Sequence, residues 1–340
     1  IGYRAGYYAT GAHNTAVGTE AYLGVNGSTT GTDNSIFGYY AGRDLTTGHS
    51  NVLMGRDAGQ NLTSGYQNII IGADAGETAT GLQNAILIGN RAGQSIDSNV
   101  HGTIGIGLDA LTELTSGQYN TAIGYQTGKE ITTAASNTFI GYEAGTYATG
   151  SANTFVGKDA GKGGTTSAPY SSGINNTALG YTALAGFTTG YNNVAIGSQA
   201  AYRLTTGAYN IAIGDNTLNA SGVSGGHNII MGYSAGTSIT SGEYNIAIGY
   251  NALKGPGSGT VNGSNNVGIG YRSLTSLTTA QNNVGIGDDS LKDLTTALYS
   301  VAIGSLSGNS ITTGGNNTLI GYNAGGSITS NNNNTLVGIN

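Results

Sequence analysis

The sequence has no cysteine and no tryptophan, only 2 prolines in 340 residues, and 8% charged side chains. Without cysteine there is no disulfide framework and no thiolate-bound metal. A net charge of −6 and a pI near 5.0 argue against a partner gripped through its phosphates, so no nucleic-acid binding is expected. No apolar run reaches the roughly eighteen residues of a membrane-spanning helix, so no membrane insertion is expected in this segment. The chain opens and closes inside the same repeated motif, from Ile1-Gly2 to Gly338-Ile339-Asn340. We therefore expect a segment of a longer protein, with residues 1–340 forming one continuous array.

Glycine is what the chain has in excess, 61 residues of it. Such bias means either disorder or periodicity, and regularly spaced Ile, Val and Leu point to periodicity. Taking as anchor the Gly that closes strings such as Asn120-Thr121-Ala122-Ile123-Gly124, there are twenty anchors from Gly2 to Gly338, and twelve of the nineteen intervals are 17 residues. Helix-pair repeats need about 33 residues, so each unit is one coil of a parallel β-solenoid.

The columns of the alignment describe the coil. One residue before the anchor (position −1) is apolar in all twenty coils, and position −3 is Thr, Ser, Val or Ile in all nineteen that exist. Position −4 is Asn in sixteen of nineteen, which predicts a hydrogen-bonded ladder of stacked amides. Position +3 is only Ala, Ser or Thr, which predicts a tight inward corner. Farther on, strings such as Leu45-Thr46-Thr47-Gly48 predict a second short strand. Position −2 is apolar or glycine in every coil. If positions −1 and −3 face the lumen, −2 faces outward, and a strand apolar on both faces is buried on both. That assigns Ile70, Leu87, Phe139, Phe155 and Leu319 to an interface between copies of the chain.

The strings Asn120–Tyr125, Asn245–Tyr250 and Asn317–Tyr322 resemble the NxxAIG repeats of trimeric autotransporter adhesin heads. They are still more similar to the NTAIGY repeats of phage tail-fibre-type proteins. The resemblance covers essentially the whole chain and implies a homotrimeric rod, located outside the cell or on a virion. Adhesin-head repeats are typically shorter than the seventeen residues found here.

Candidate chemistry is sparse. Three of the four histidines, His13, His49 and His227, precede coil-opening asparagines and read as turn residues; none of the four falls in a metalloprotease-type motif. Carboxylates recur at position +2 (Asp57 and Asp74, Glu143 and Asp159), where a solvated face, a Ca²⁺ site and a glycosidase pair are the alternatives. Tyrosine fills position +1 in nine of twenty coils, including Tyr125 and Tyr142, and offers sugar-stacking or sheet-stiffening contacts. Thr-Thr pairs raise an ice-binding reading, although adjacent residues would leave one outward Thr per coil. Three coils carry extra residues, 25–30, 162–174 and 255–264, and hold both prolines, Pro169 and Pro256. Loops protruding from solenoids are where binding concentrates, which singles out Tyr170. The expected function is the shaft or head of a surface fibre, with a cell-surface glycan or protein as receptor. The alternatives are an ice- or mineral-binding solenoid and a tailspike-type glycan hydrolase. No catalytic residue, cofactor or metal ligand is assigned.

Overall fold

The structure, a computed structural model, describes residues 1–97, 100–168, 170–257 and 260–339. It is a parallel β-solenoid whose described residues contain nineteen strands and no helix. Each strand has three residues and ends at position −1. The chain divides into two compact units, Ile1–Ser172 and Gly173–Asn340. The first unit holds β1 (Thr15–Val17), β2 (Ser35–Phe37), β3 (Val52–Met54), β4 (Ile69–Ile71), β5 (Ile86–Ile88), β6 (Ile104–Ile106), β7 (Thr121–Ile123), β8 (Thr138–Ile140) and β9 (Thr154–Val156). The second holds β10 (Thr177–Leu179), β11 (Val194–Ile196), β12 (Ile211–Ile213), β13 (Ile229–Met231), β14 (Ile246–Ile248), β15 (Val267–Ile269), β16 (Val284–Ile286), β17 (Val301–Ile303), β18 (Thr318–Ile320) and β19 (Thr335–Val337). Within each unit every strand pairs in parallel with the next and in register, so Val52 lies over Ile69 and Ile213 over Met231.

The Asn ladder forms as expected. The backbone N–H and Nδ2 of Asn34 both donate to Asn14 Oδ1, at 2.9 and 3.1 Å, and Nδ2 also donates to the Gly48 carbonyl at 3.0 Å. Asn51 and Asn68 continue the pattern, each satisfying the amide before it. A buried amide left without partners would cost about 1–3 kcal/mol, so the column holds only where every member is paired. At the break, Ala85 keeps just the backbone bond to Asn68 Oδ1.

The ladder fixes which strand face is inside. Positions −4 and −2 share a face because side chains alternate along a strand. The asparagines from Asn34 onward are almost all buried, so position −2 is buried with them. Ile70, Leu87, Phe139, Phe155 and Leu319 are each 0% exposed within a single chain. Their expected placement between copies is therefore wrong: they form the core of the coil. The outward face carries positions −1 and −3, half-exposed or exposed in every strand.

Size at position −2 is matched across the lumen by position +4 of the same coil. Where −2 is Ile, Leu or Phe in a coil that continues, +4 is glycine: Ile36 faces Gly42, Phe139 faces Gly145 and Leu319 faces Gly325. Where −2 is Gly, +4 is Leu, as in Gly105 with Leu111, Gly268 with Leu274 and Gly285 with Leu291. Most Ala positions follow suit, for example Ala178 with Leu184 and Ala212 with Leu218. Ala122 with Gly128 and Ala302 with Gly308 break the rule, and there bulky residues of adjacent coils, Phe139 and Leu111 or Leu319 and Leu291, close in on the glycine; Ala195 with Ala201 is small on both walls. In most coils the lumen is thus filled by alternating which wall is bulky.

The +4 residues adopt left-handed backbone, Leu111 at φ 56° and Leu291 at φ 47°. This costs an L-residue about 1–2 kcal/mol, which packing of the Leu side chain offsets. The anchor glycines are more constrained. Their φ lies between 123° and 145°, a region reserved for glycine, and a Cβ at Gly38 would sit 2.2 Å from the Gly55 carbonyl oxygen. The small column at +3 forms the inward corner, with Ala41, Ala75 and Ala144 fully buried. Where serine occupies it, the hydroxyl is satisfied locally: Ser273 Oγ donates to the Gly285 carbonyl at 2.8 Å.

The expected second strand does not form as a strand. Only isolated bridges occur along that wall, such as Leu204 with Val223. Its leucines still point inward, Leu45 and Leu62 being fully buried. Three N–H groups of one coil, from Thr46, Thr47 and Gly48, converge on the single carbonyl of Thr63. That converging pattern replaces the evenly spaced bonds of a parallel ladder.

Candidate functional site

With the core assigned, the surface offers five features: the outward strand face, the aromatic stacks, the charged rail at position +2, the Thr-Thr wall, and the excursions with the grooves beside them.

The outward strand face is apolar. From β11 to β17 every −3 and −1 residue is Val, Ile or Met, fourteen side chains in seven consecutive strands. None is buried; Ile229 is 36% exposed and Ile303 39%. In the first unit the same columns mix Thr121, Thr138 and Thr154 with Ile88, Ile106 and Ile140.

The tyrosines at +1 stand beside this face and stack along the solenoid. Tyr125 and Tyr142 are parallel at 5.0 Å, and Tyr233, Tyr250 and Tyr271 form a run at 5.3 and 5.2 Å. Both Tyr125 and Tyr142 are exposed. Their geometry narrows what they can do. Each spends a ring face on its neighbour, so the run presents ring edges and hydroxyls outward. A second run, Tyr209, His227 and Tyr244, stacks at 5.0 and 4.7 Å and places His227 between two phenols. Nothing in single-residue counting signalled this run, because it alternates residue types at position −5.

The carboxylates at +2 are ion-paired. Arg56 reaches Asp74 at 2.7 Å and lies 3.6 Å from Asp57; Arg91 bonds Asp109 at 2.6 Å; Lys162 bridges Glu143 and Asp159. Burial opposes ionisation of Asp109, yet hydrogen bonds from Arg91 and Gln126 hold its carboxyl below the usual range. Glu143 is likewise held low against burial, by bonds from Lys162 and Tyr142. Asp57 moves the other way: burial and the neighbouring Asp74 raise it more than Arg56 lowers it. Among the described residues, no group of three His, Asp or Glu side chains converges as metal ligands would.

The Thr-Thr wall is partly spent on scaffold. In several pairs the first hydroxyl donates to a carbonyl of the next coil, Thr46 to Thr63 at 3.0 Å and Thr295 to Thr312 at 3.0 Å. In pairs such as Thr46-Thr47 only the second Thr is exposed, whereas Thr132-Thr133 and Thr312-Thr313 are exposed at both positions.

The excursions are tied back to the coils. Thr29, fully buried, closes the first through its Oγ1 to Val25. Ser171 and Val261 return the other two to the ladder, bridging to Ala148 and Ile239. Tyr170 is half-buried rather than protruding. Its ring stacks on Tyr147 at 5.9 Å, and a hydrogen bond to Glu130 raises its phenol. Pro169 beside it lies outside the described residues, while Pro256 is half-buried. No helix among the described residues is long and apolar enough to cross a membrane. Compared with known protein families and with curated proteins, the sequence finds no match.

Proposed function

We propose that this chain is a structural segment of a surface fibre, a shaft or head of the phage tail-fibre or bacterial-adhesin kind. In this reading three copies assemble through the outward strand face, outside the cell or on a virion. The observation that carries it is the unbroken aliphatic face of β11–β17. Soluble monomers rarely leave more than a few hundred Å² of contiguous apolar surface bare, and fourteen half-exposed side chains in one patch exceed that. A second copy is the economical cover, because the face repeats with the same period in every copy. The resemblance of the repeats to trimeric fibre proteins supports the number three. The exposed Tyr edges and the excursions then remain on the outer surface for attachment to a glycan or protein receptor.

The test is the mass of the purified chain by light scattering, combined with electron microscopy of single particles. Three times the mass of one 34.0 kDa chain, in particles of uniform width, supports the reading. A monodisperse single-chain mass at micromolar concentration rules it out.

A further inference from the structure

We infer that a groove in the second unit, beside the 255–264 excursion, binds a carboxylate-bearing saccharide. This rests on the attachment reading above and supplies its ligand class. The groove holds about 330 Å³, and its wall includes Arg203, Asn219, Ser221, Thr237, Ser238 and Thr240. Gly257 and Thr260 of the excursion complete the wall, and no lining residue is a carboxylate. That volume is at the lower end of small-molecule sites, about 300–1,000 Å³.

The charge pattern is the independent observation. Eight of the chain's 11 Lys and Arg side chains pair with carboxylates: Arg4, Arg43, Arg56, Arg91, Lys129, Lys162, Arg272 and Lys292. Lys158 lies over the Tyr142 ring. Of the remaining two, Arg203 and Lys254, neither pairs with a described carboxylate, and only Arg203, whose guanidinium lies 5.9 Å from the Tyr202 ring centroid, is a wall residue of this groove. Arg203 lines it and is exposed. Lys254 adjoins it, its carbonyl accepting from Ser238 N–H at 3.0 Å and from Thr237 Oγ1 at 3.4 Å. One cation without a carboxylate partner thus stands on the wall of this groove, in a chain whose net charge is −6.

The rest of the wall is built for hydroxyls. Thr240 Oγ1 donates to Asn262 Oδ1 at 2.6 Å, which fixes that side chain's rotamer. Asn219 Nδ2 donates to Asn216 Oδ1 at 2.5 Å, while its own Oδ1 accepts from no donor. A guanidinium presents paired donors that match a carboxylate bidentately. Hydroxyl and amide groups around it suit a polyhydroxylated ring. A polyanion such as nucleic acid is disfavoured by the acidic chain as a whole, whereas a single carboxylate meets only the local positive wall.

The carboxylated sugar has two common sources, a uronate and a sialic acid, and titration calorimetry with trigalacturonate and with sialyllactose separates them. Maltotriose and lactose are the neutral controls, and inorganic phosphate tests for simple anion binding. Arg203→Gln is expected to weaken the acidic probe that binds at least tenfold. Lys292→Gln removes the same charge from outside the groove and leaves affinity unchanged. The inference is overturned if neither acidic sugar binds, if neutral sugars or phosphate bind as tightly, or if Lys292→Gln weakens binding as much as Arg203→Gln. Particle mass, measured on the same samples, reports the assembly separately, so a failed groove does not count against the fibre.

Discussion

The ring of Phe139 occupies the space that a side chain at Gly145 would need: a Cβ built there would lie 2.6 Å from Phe139 Cδ2. The two positions are six residues apart on opposite walls of one coil, and the same exchange of bulk recurs in coil after coil. The lumen therefore constrains a sum of volumes, leaving each residue free to be large or small if its partner compensates.

A double-mutant cycle tests this exchange. Phe139→Ala should cost about 3–5 kcal/mol by opening a cavity. Gly145→Leu alone should also destabilise, through the clash and left-handed backbone. The double variant recreates the pairing of Ala178 with Leu184 and should recover part of the loss. Urea midpoints by circular dichroism provide the check, and simple additivity would contradict the exchange.

Asp at Ile70, Leu87 and Phe139 together should prevent folding of the chain itself, since each carboxylate enters a filled lumen at a cost of several kcal/mol. Asp at Tyr125, Tyr142 and Tyr233 should leave the circular dichroism spectrum intact, because those side chains are exposed. A folded but unassembled core triple variant would restore the earlier placement of that column between copies.

Much of this fold was legible in the sequence. The period, the Asn ladder and the small corner at +3 follow from single columns, because one residue type suffices to specify each. The face assignment was misread because −1 and −2 are both apolar or glycine while −3 mixes Thr and Ser with Val and Ile, and hydrophobicity alone cannot orient such a strand. Two signals would have oriented it. Asn at −4 shares parity with −2, and the volumes at −2 and +4 covary, Phe155 with Gly161 and Gly285 with Leu291. The second wall was read as a strand from its threonines, yet converging backbone bonds such as those onto Thr63 set its geometry. The groove at Arg203 was invisible because its wall comes from several coils and its distinguishing feature is an absence of nearby carboxylates.

The charged rail gives opposite pH responses at two aspartates. Asp109 has its folded pKa depressed, so its stabilisation is present above the unfolded value, near 3.9, and is lost as pH falls through the folded one. Asp109→Asn should therefore lower stability by about 1 kcal/mol at pH 7 and have no effect near pH 2. Asp57 is raised, so ionisation costs it stability as pH rises through its folded value. Asp57→Asn should be neutral or stabilising at pH 7, helped by the tolerance of Asn for φ 58°. Melting temperatures of both variants across pH 2–7 decide the signs.

The third excursion can be shortened only in part. Removing all of 255–264 would delete Val261, which is fully buried and bridges to Ile239. Deleting 256–259 alone turns the 21-residue interval between Gly249 and Gly270 into one of 17 and should keep the fold. Val261→Asp should not. Protease resistance of the two variants separates these outcomes.

The central claim is that the outward strand face is covered by other copies of the chain. Ile213→Lys, Ile248→Lys and Ile286→Lys place three charges on that face while leaving the lumen untouched. In a free chain, lysine stems can lie along the surface with their ammonium groups in water; in an assembly the charges are trapped. Sedimentation velocity of parent and variant is the measurement. The account predicts a trimeric parent and a variant that sediments as a single chain with an unchanged β-type circular dichroism spectrum. A parent that already sediments as a monomer, or a variant that stays assembled, would contradict it.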